Sequence, residues 1–175
     1  KKYNAYINAG LPVPEKITEL TGITQSMCDG GKPILNVLYD FYYASLDCSR
    51  FVAHNIKFDI RMIDISIQRN IDAIKQQCMG LLYMFDTSIS KKEQFCTMYH
   101  CINECNIMCE AKDKKGNTYT YKKFPKLSEA HCHYFGSVPD GLHNSMVDTL
   151  VCLRIYLKQC YERSVSDDEF EKWSY

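Results

Sequence analysis

Residues 50–59 read Arg50-Phe51-Val52-Ala53-His54-Asn55-Ile56-Lys57-Phe58-Asp59. Arg50 to His54 is a short apolar run with polar ends, which predicts a strand. Phe58, Met62 and Ile65 follow at spacings of four and three, which predicts a helix directly after it. Asp59 falls in the first turn of that helix, where the dipole favours a carboxylate. A strand feeding a helix is a unit of an α/β domain, and ligands gather at such junctions.

The segments on either side extend the alternation. Lys2 to Ile7 predicts a strand, broken by Pro12 and Pro14. Glu15 to Leu20 predicts a short helix ended by Gly22. Pro33 stands at the start of a helix marked by Ile34, Leu35, Leu38, Phe41 and Tyr42. Leu81 to Phe85 predicts a further strand. Residues 111–121, with Gly116-Asn117 before Tyr119 and Tyr121, predict an exposed hairpin or loop. Pro125 to Tyr134 predicts a helix ended by Gly136. Met146, Leu150, Leu153 and Leu157 mark a last long helix. From Ser164 the chain turns acidic and polar, which predicts a fraying tail over 164–175 behind a domain over 1–163. The fold class is α/β, with few strands for a closed layer.

The chain has 175 residues, enough for one domain with a core of its own. Lys+Arg and Asp+Glu number 21 each, which argues against a coat of positive charge and leaves room for a local basic groove. Ten cysteines would suggest a disulfide framework in a short secreted chain. No charged-then-apolar leader opens this sequence, and no apolar run approaches the ~18 residues of a membrane span. Cys78 and Cys152 sit at core-like positions. The expectation is therefore reduced thiols in a cytoplasmic, reducing compartment.

A second constellation is His143-Asn144-Ser145-Met146-Val147-Asp148, a histidine one turn ahead of a helix that carries an aspartate. Taken singly, Asp59 is explained by capping and His143 by the surface beside a helix N-terminus. Taken in order, the two resemble motifs of the DEDDh (DnaQ-like) 3′→5′ exonuclease family. His54-Asn55-x-x-Phe58-Asp59 resembles the second motif and His143-x-x-x-x-Asp148 the third. Val13-Pro14 and Leu20-Thr21-Gly22-Ile23-Thr24 resemble the stretch between the family's first and second motifs. Phe95-Cys96-Thr97-Met98, Phe124-Pro125-Lys126-Leu127-Ser128-Glu129 and Tyr134-Phe135-Gly136 resemble a run of one microbial and viral branch. The resemblance covers roughly residues 3–160.

It implies a ribonuclease H-like mixed sheet flanked by helices, and hydrolysis of terminal phosphodiesters with two Mg²⁺ or Mn²⁺ ions. Asp148 would bind metal directly, Asp59 would hold the second ion largely through water, and His143 would be the general base. Asn55 and Phe58, with His54 beside them, would face the terminal nucleotide. The implied substrate is a single-stranded or frayed 3′ end of DNA, with RNA also compatible, as in proofreading or repair beside a DNA polymerase. The chemistry has an independent logic. An anionic phosphodiester repels hydroxide, hard cations prefer carboxylate oxygens, and an imidazole titrating near neutrality can take a proton from water.

The family's first motif, Asp-x-Glu on the first strand, does not occur upstream of Asp59. Asp167-Asp168-Glu169 contains the pattern only in the acidic tail. The expectation is a chain lacking the first two strands, a weak binder of catalytic metal alone, with a sheet edge exposed. The alternative from another class is a catalytically silent nucleic-acid-binding or interaction domain. Cys101, Cys105 and Cys109, with His100, His131, Cys132 and His133, form a candidate zinc set or else an apolar stripe. Lys112, Lys114, Lys115, Lys122, Lys123 and Lys126, opposed by Glu110 and Asp113, form either a phosphate-tracking segment or a solvated loop.

Overall fold

The structure, a computed structural model, describes residues 2–77, 82 and 91–174. The expected strand at 81–85 and Cys78 lie outside the described residues, apart from Leu82. The chain forms two compact units. The first is Lys1–Phe51 with Lys57–Gln94, and the second is Val52–Ile56 with Phe95–Tyr175.

In the first unit, β1 (Ile7–Asn8) pairs in parallel with β2 (Lys32–Pro33), Ile7 opposite Lys32 and Asn8 opposite Pro33. Of the strand expected over Lys2–Ile7, only this last part forms. Its partner is two residues long and ends in a proline with no N–H to give. Gly31 makes the pairing possible, because a Cβ there would lie 2.8 Å from the Tyr6 carbonyl oxygen and 2.9 Å from the Asn8 nitrogen. Helix α1 (Glu15–Thr21) ends on Gly22 at φ 73°, whose N–H bonds back to Thr18, as the sequence predicts. Thr24 caps α2 (Gln25–Asp29) by accepting from the Met27 N–H.

Helix α3 (Ile34–Ser45) follows Pro33 and buries Leu38 and Tyr42. They pack with Ile67 and Ile74, from α4 (Ile56–Arg69) and α5 (Ile71–Gln77). Lys92 donates to the Ser45, Leu46 and Cys48 carbonyls behind α3, a cation at the negative end of the dipole. Helix α4 exists where the sequence predicts it, but its core-facing row is buried Ile67 with partly buried Ile60 and Ile63. Phe58 and Met62 lie on the opposite side, exposed. Helical geometry explains this, since two residues along a helix is about 200° of rotation. Strands β3 (Arg50–Ala53) and β4 (Glu93–Cys96) form a second two-stranded sheet.

The second unit continues with two short helical turns, α6 (Thr97–His100) and α7 (Ile102–Cys105). The expected hairpin follows: β5 (Met108–Lys112) pairs antiparallel with β6 (Thr118–Lys122), Cys109 opposite Tyr121 and Ala111 opposite Tyr119. Helix α8 (Leu127–Phe135) ends on Gly136 at φ 77°. The long helix α9 (Ser145–Tyr161) buries Leu150, Val151, Cys152, Arg154 and Ile155. The expected fraying tail is instead α10 (Asp167–Ser174), with Val165 and Phe170 in the same core as Val151 and Ile155. The acidic residues sit in its first turn, where they favour the helix dipole, and Phe170 and Trp173 form its apolar face.

Arg154 ties this corner together. It is 3% exposed. Its Nε and Nη2 donate to the Val165 carbonyl at 3.1 and 2.6 Å, and Nη2 also to Asp167 Oδ1 at 2.8 Å. The guanidinium carbon lies 4.0 Å from the Phe135 ring centroid and 4.9 Å from that of Phe170. Nη1 donates to His131 Nε2 at 3.0 Å, so that nitrogen is unprotonated and Nδ1–H donates to the Ser137 carbonyl at 2.7 Å.

Candidate functional site

The junction between β3 and α4 is built by His54 and Asn55. Asn55 adopts φ 72°, the left-handed conformation that Asn tolerates better than other non-glycine residues. Asn55→Gly is therefore expected to leave stability within about 0.5 kcal/mol of wild type, while Asn55→Val costs about 1–2 kcal/mol. Urea unfolding compares them; equal losses would show that the side chain, and not the backbone, sets the turn.

His54 is held at both ring nitrogens. Nε2 lies 2.9 Å from the Pro125 carbonyl oxygen, and Nδ1 lies 3.0 Å from Thr97 Oγ1. A carbonyl only accepts, so Nε2 carries the proton and Nδ1 of the neutral ring accepts from the Thr97 hydroxyl. The sequence groups His54 with the nucleotide-facing residues; in the fold both its nitrogens are spent on the protein. Thr97, fully buried, is the residue that sequence reasoning passed over. Its carbonyl also accepts from Gln159 Nε2 at 3.1 Å. The signal was present, because Thr97 and Pro125 both stand inside the two runs that carry the family resemblance.

Phe58 is 57% exposed on α4, so its ring is open to stacking. Asp59 follows it in the first turn. Although the residue is exposed, its carboxyl is partly withdrawn from water, and this desolvation raises its pKa against the opposing pull of its own backbone N–H.

The second constellation is a capped turn. His143 takes φ 75°. The Asn144 side chain accepts from the Met146 and Val147 N–H groups at 3.0 and 3.4 Å, capping α9. The His143 N–H donates to Asp148 Oδ1 at 3.2 Å. The fold thus brings His143 and Asp148 together, with the imidazole exposed and the carboxylate half-buried at a helix N-terminus. Phe58 and Asp59 belong to the first unit; His54, Asn55, His143 and Asp148 belong to the second.

Both histidines held in the second unit have lowered pKa values. Burial is the main cause for each; the Pro125 carbonyl opposes it at His54, and at His131 the Ser137 carbonyl opposes it while Arg154 reinforces it. The ordinary value is 6.5. Below it, the unfolded chain takes up protons that the folded chain refuses, so stability falls as pH drops from about 6.5 toward the lower folded values. Urea midpoints at about pH 7.5 and pH 5.5 check this. The midpoint is expected to fall at the lower pH, and less steeply in His131→Gln; a midpoint rising on acidification contradicts it.

Asp59 and Asp148 offer carboxylate oxygens, the donor type that Mg²⁺ and Mn²⁺ prefer, so their chemistry fits the metal the resemblance implies. Among the described residues, no group of three or more His, Cys, Asp and Glu side chains is assembled to hold a metal. The cysteine set expected at helical spacing is divided: Cys101 ends one turn, Cys105 ends the next, and Cys109 lies on β5. Burial and neighbouring Cys105 push the Cys101 thiol up to about 12. All nine cysteines among the described residues are free thiols.

The sequence model of the exonuclease family RNase_T matches residues 1–119, more than half of the chain. The chain belongs to this DnaQ-like exonuclease family. Membership gives it a nuclease domain and the ribonuclease H-like α/β class. The matched region includes Asn55, Phe58 and Asp59 and ends before His143 and Asp148. Among curated proteins, the chain is similar to a DNA polymerase III PolC-type of Streptococcus pyogenes serotype M18, 35% identical over 83 residues, 47% of this chain and 6% of that protein. A PolC-type polymerase of Streptococcus agalactiae serotype III matches over the same length at 35%. One of S. pyogenes serotype M5 is 36% identical over 70 residues, 40% of this chain and 5% of that protein. The chain therefore spans a small fraction of these relatives. No solved structure matches it. Among the described residues, no helix is long and apolar enough to cross a membrane.

Proposed function

We propose that this exonuclease-family domain removes nucleotides from the 3′ end of single-stranded or frayed DNA by metal-assisted hydrolysis, with RNA as a second substrate. The observation that carries the reading is the His143–Asp148 turn. A backbone hydrogen bond fixes the carboxylate beside the histidine that precedes it, in the order and spacing of the family's third motif. Similarity to PolC-type DNA polymerases supports DNA as substrate and a polymerase as partner.

Asp148 and Asp59 would hold Mg²⁺ or Mn²⁺, which when bound offsets phosphodiester charge and acidifies a water. The His143 ring, exposed at the head of α9, takes the proton of the attacking water at a ring nitrogen. Phe58 stacks on the terminal base, and the Asn55 turn sets its direction. His54 acts at one remove, by fixing that turn on Thr97 and Pro125. No Asp-x-Glu precedes Asp59 within these 175 residues, so they supply two of the four carboxylates of the family's pattern. We infer that full activity requires the other two, and that these residues alone bind Mn²⁺ weakly. Isothermal titration tests this: tight Mn²⁺ binding by the 175-residue chain contradicts it.

A further inference from the structure

The β5–β6 hairpin carries a concentration of charge and aromatic surface that the reaction does not use. Every residue of β6 is exposed. Tyr119 and Tyr121 stand two apart on one face, their ring centroids 6.0 Å apart and their planes tilted by 42°. Across the ladder they face only Ala111 and Cys109, small side chains that leave the rings uncovered, at 50% and 44% exposure.

The loop that closes the hairpin holds Lys114 and Lys115, with Lys112 at its edge. Asp113, the acidic residue among them, is turned into the loop. Its Oδ1 accepts from the Lys115 and Asn117 N–H groups at 2.8 and 2.9 Å and its Oδ2 from Asn117 Nδ2 at 3.0 Å. These bonds hold its carboxylate below its ordinary range. The Lys112, Lys114 and Lys115 ammonium groups form no ion pair among the described residues, in a chain of zero formal net charge.

We propose that this hairpin is an arm that grips single-stranded nucleic acid, Tyr119 and Tyr121 stacking on two unpaired bases while Lys114 and Lys115, in the loop that closes the ribbon, lie along the phosphates. It rests on the nuclease reading for its ligand class. A duplex hides its base faces and would leave the tyrosines idle, and an acidic peptide would meet only the lysines. Uncovered aromatic faces beside unpaired cations match a strand with both free bases and phosphates.

The test is fluorescence anisotropy of the whole protein with labelled oligo-dT and oligo-rU of ~12 nucleotides, in EDTA so that no cleavage intervenes. Two variants are compared, Tyr119→Leu with Tyr121→Leu, and Lys114→Gln with Lys115→Gln. Each is expected to weaken binding by about tenfold or more at unchanged melting temperature. The lysine pair is also expected to lower the salt slope by about 1, and the tyrosine pair to leave it unchanged. Loss with one oligonucleotide alone assigns the arm to DNA or to RNA. Unchanged affinity in both variants overturns the proposal, as does equal competition by duplex DNA or polyglutamate. Cleavage with Mg²⁺ is read separately: hairpin variants that bind and cut normally sink the arm and leave the nuclease reading standing, whereas a whole protein that binds the strand but never cuts it sinks the nuclease reading.

Discussion

Replacing Arg154 with alanine is expected to destabilise the second unit by about 3–5 kcal/mol. The guanidinium is 3% exposed and makes all its contacts inside the protein. Truncation leaves the Val165 carbonyl and His131 Nε2 buried without their donors, and opens a gap between the Phe135 and Phe170 rings. The ion pair with Asp167 contributes little of this, because that carboxylate is 71% exposed. Asp167→Asn should therefore cost less than about 1 kcal/mol. Arg154→Lys should fall close to alanine, since a single ammonium cannot reproduce the planar fork that serves Val165, His131 and Asp167 together. Urea unfolding of the three variants decides it. A loss in Asp167→Asn equal to that in Arg154→Ala would show that the ion pair, not the buried carbonyl and ring contacts, holds α10.

In the full product of the gene, Asp148→Asn is expected to lower nuclease activity by at least about 100-fold while leaving the fold intact. An amide oxygen can still accept the His143 N–H that the carboxylate accepts at 3.2 Å, so the turn ahead of α9 survives and only the charge is lost. Asp148→Ala loses both, so it should also reduce stability, by about 1 kcal/mol. Comparing the two separates positioning from charge. Equal activity in wild type and Asp148→Asn would remove this residue from the chemistry.

The parts of the fold that the sequence reveals are those set by local rules. Gly22 and Gly136 end their helices in left-handed geometry, and Gly116-Asn117 marks a hairpin, because backbone conformation at these points depends on a few neighbouring residues. The two constellations were legible for the same reason, as a strand-to-helix junction and a helix start. What stayed hidden depends on distant partners. Arg154 reads as a surface cation within a helix, and only the meeting of Phe135, Phe170 and the Val165 carbonyl makes its burial favourable. The region after Ser164 reads as a loose tail by charge, yet Phe170 and Trp173 at a spacing of three were the sign of a packed helix. Phe58 and Met62 predict the helix they stand on but not its buried face, since an isoleucine row competes with them. His54 looks like a ligand-facing residue until Thr97 and Pro125, far away in sequence, occupy its nitrogens.

The most direct measurement is product analysis on a 5′-labelled single-stranded oligonucleotide, with Mg²⁺ or Mn²⁺, using the full product of the gene. The account predicts a ladder that shortens from the 3′ end, stops in EDTA and is lost in Asp148→Asn and His143→Ala. Release of the labelled 5′ nucleotide first, or a ladder that survives both substitutions, would contradict it.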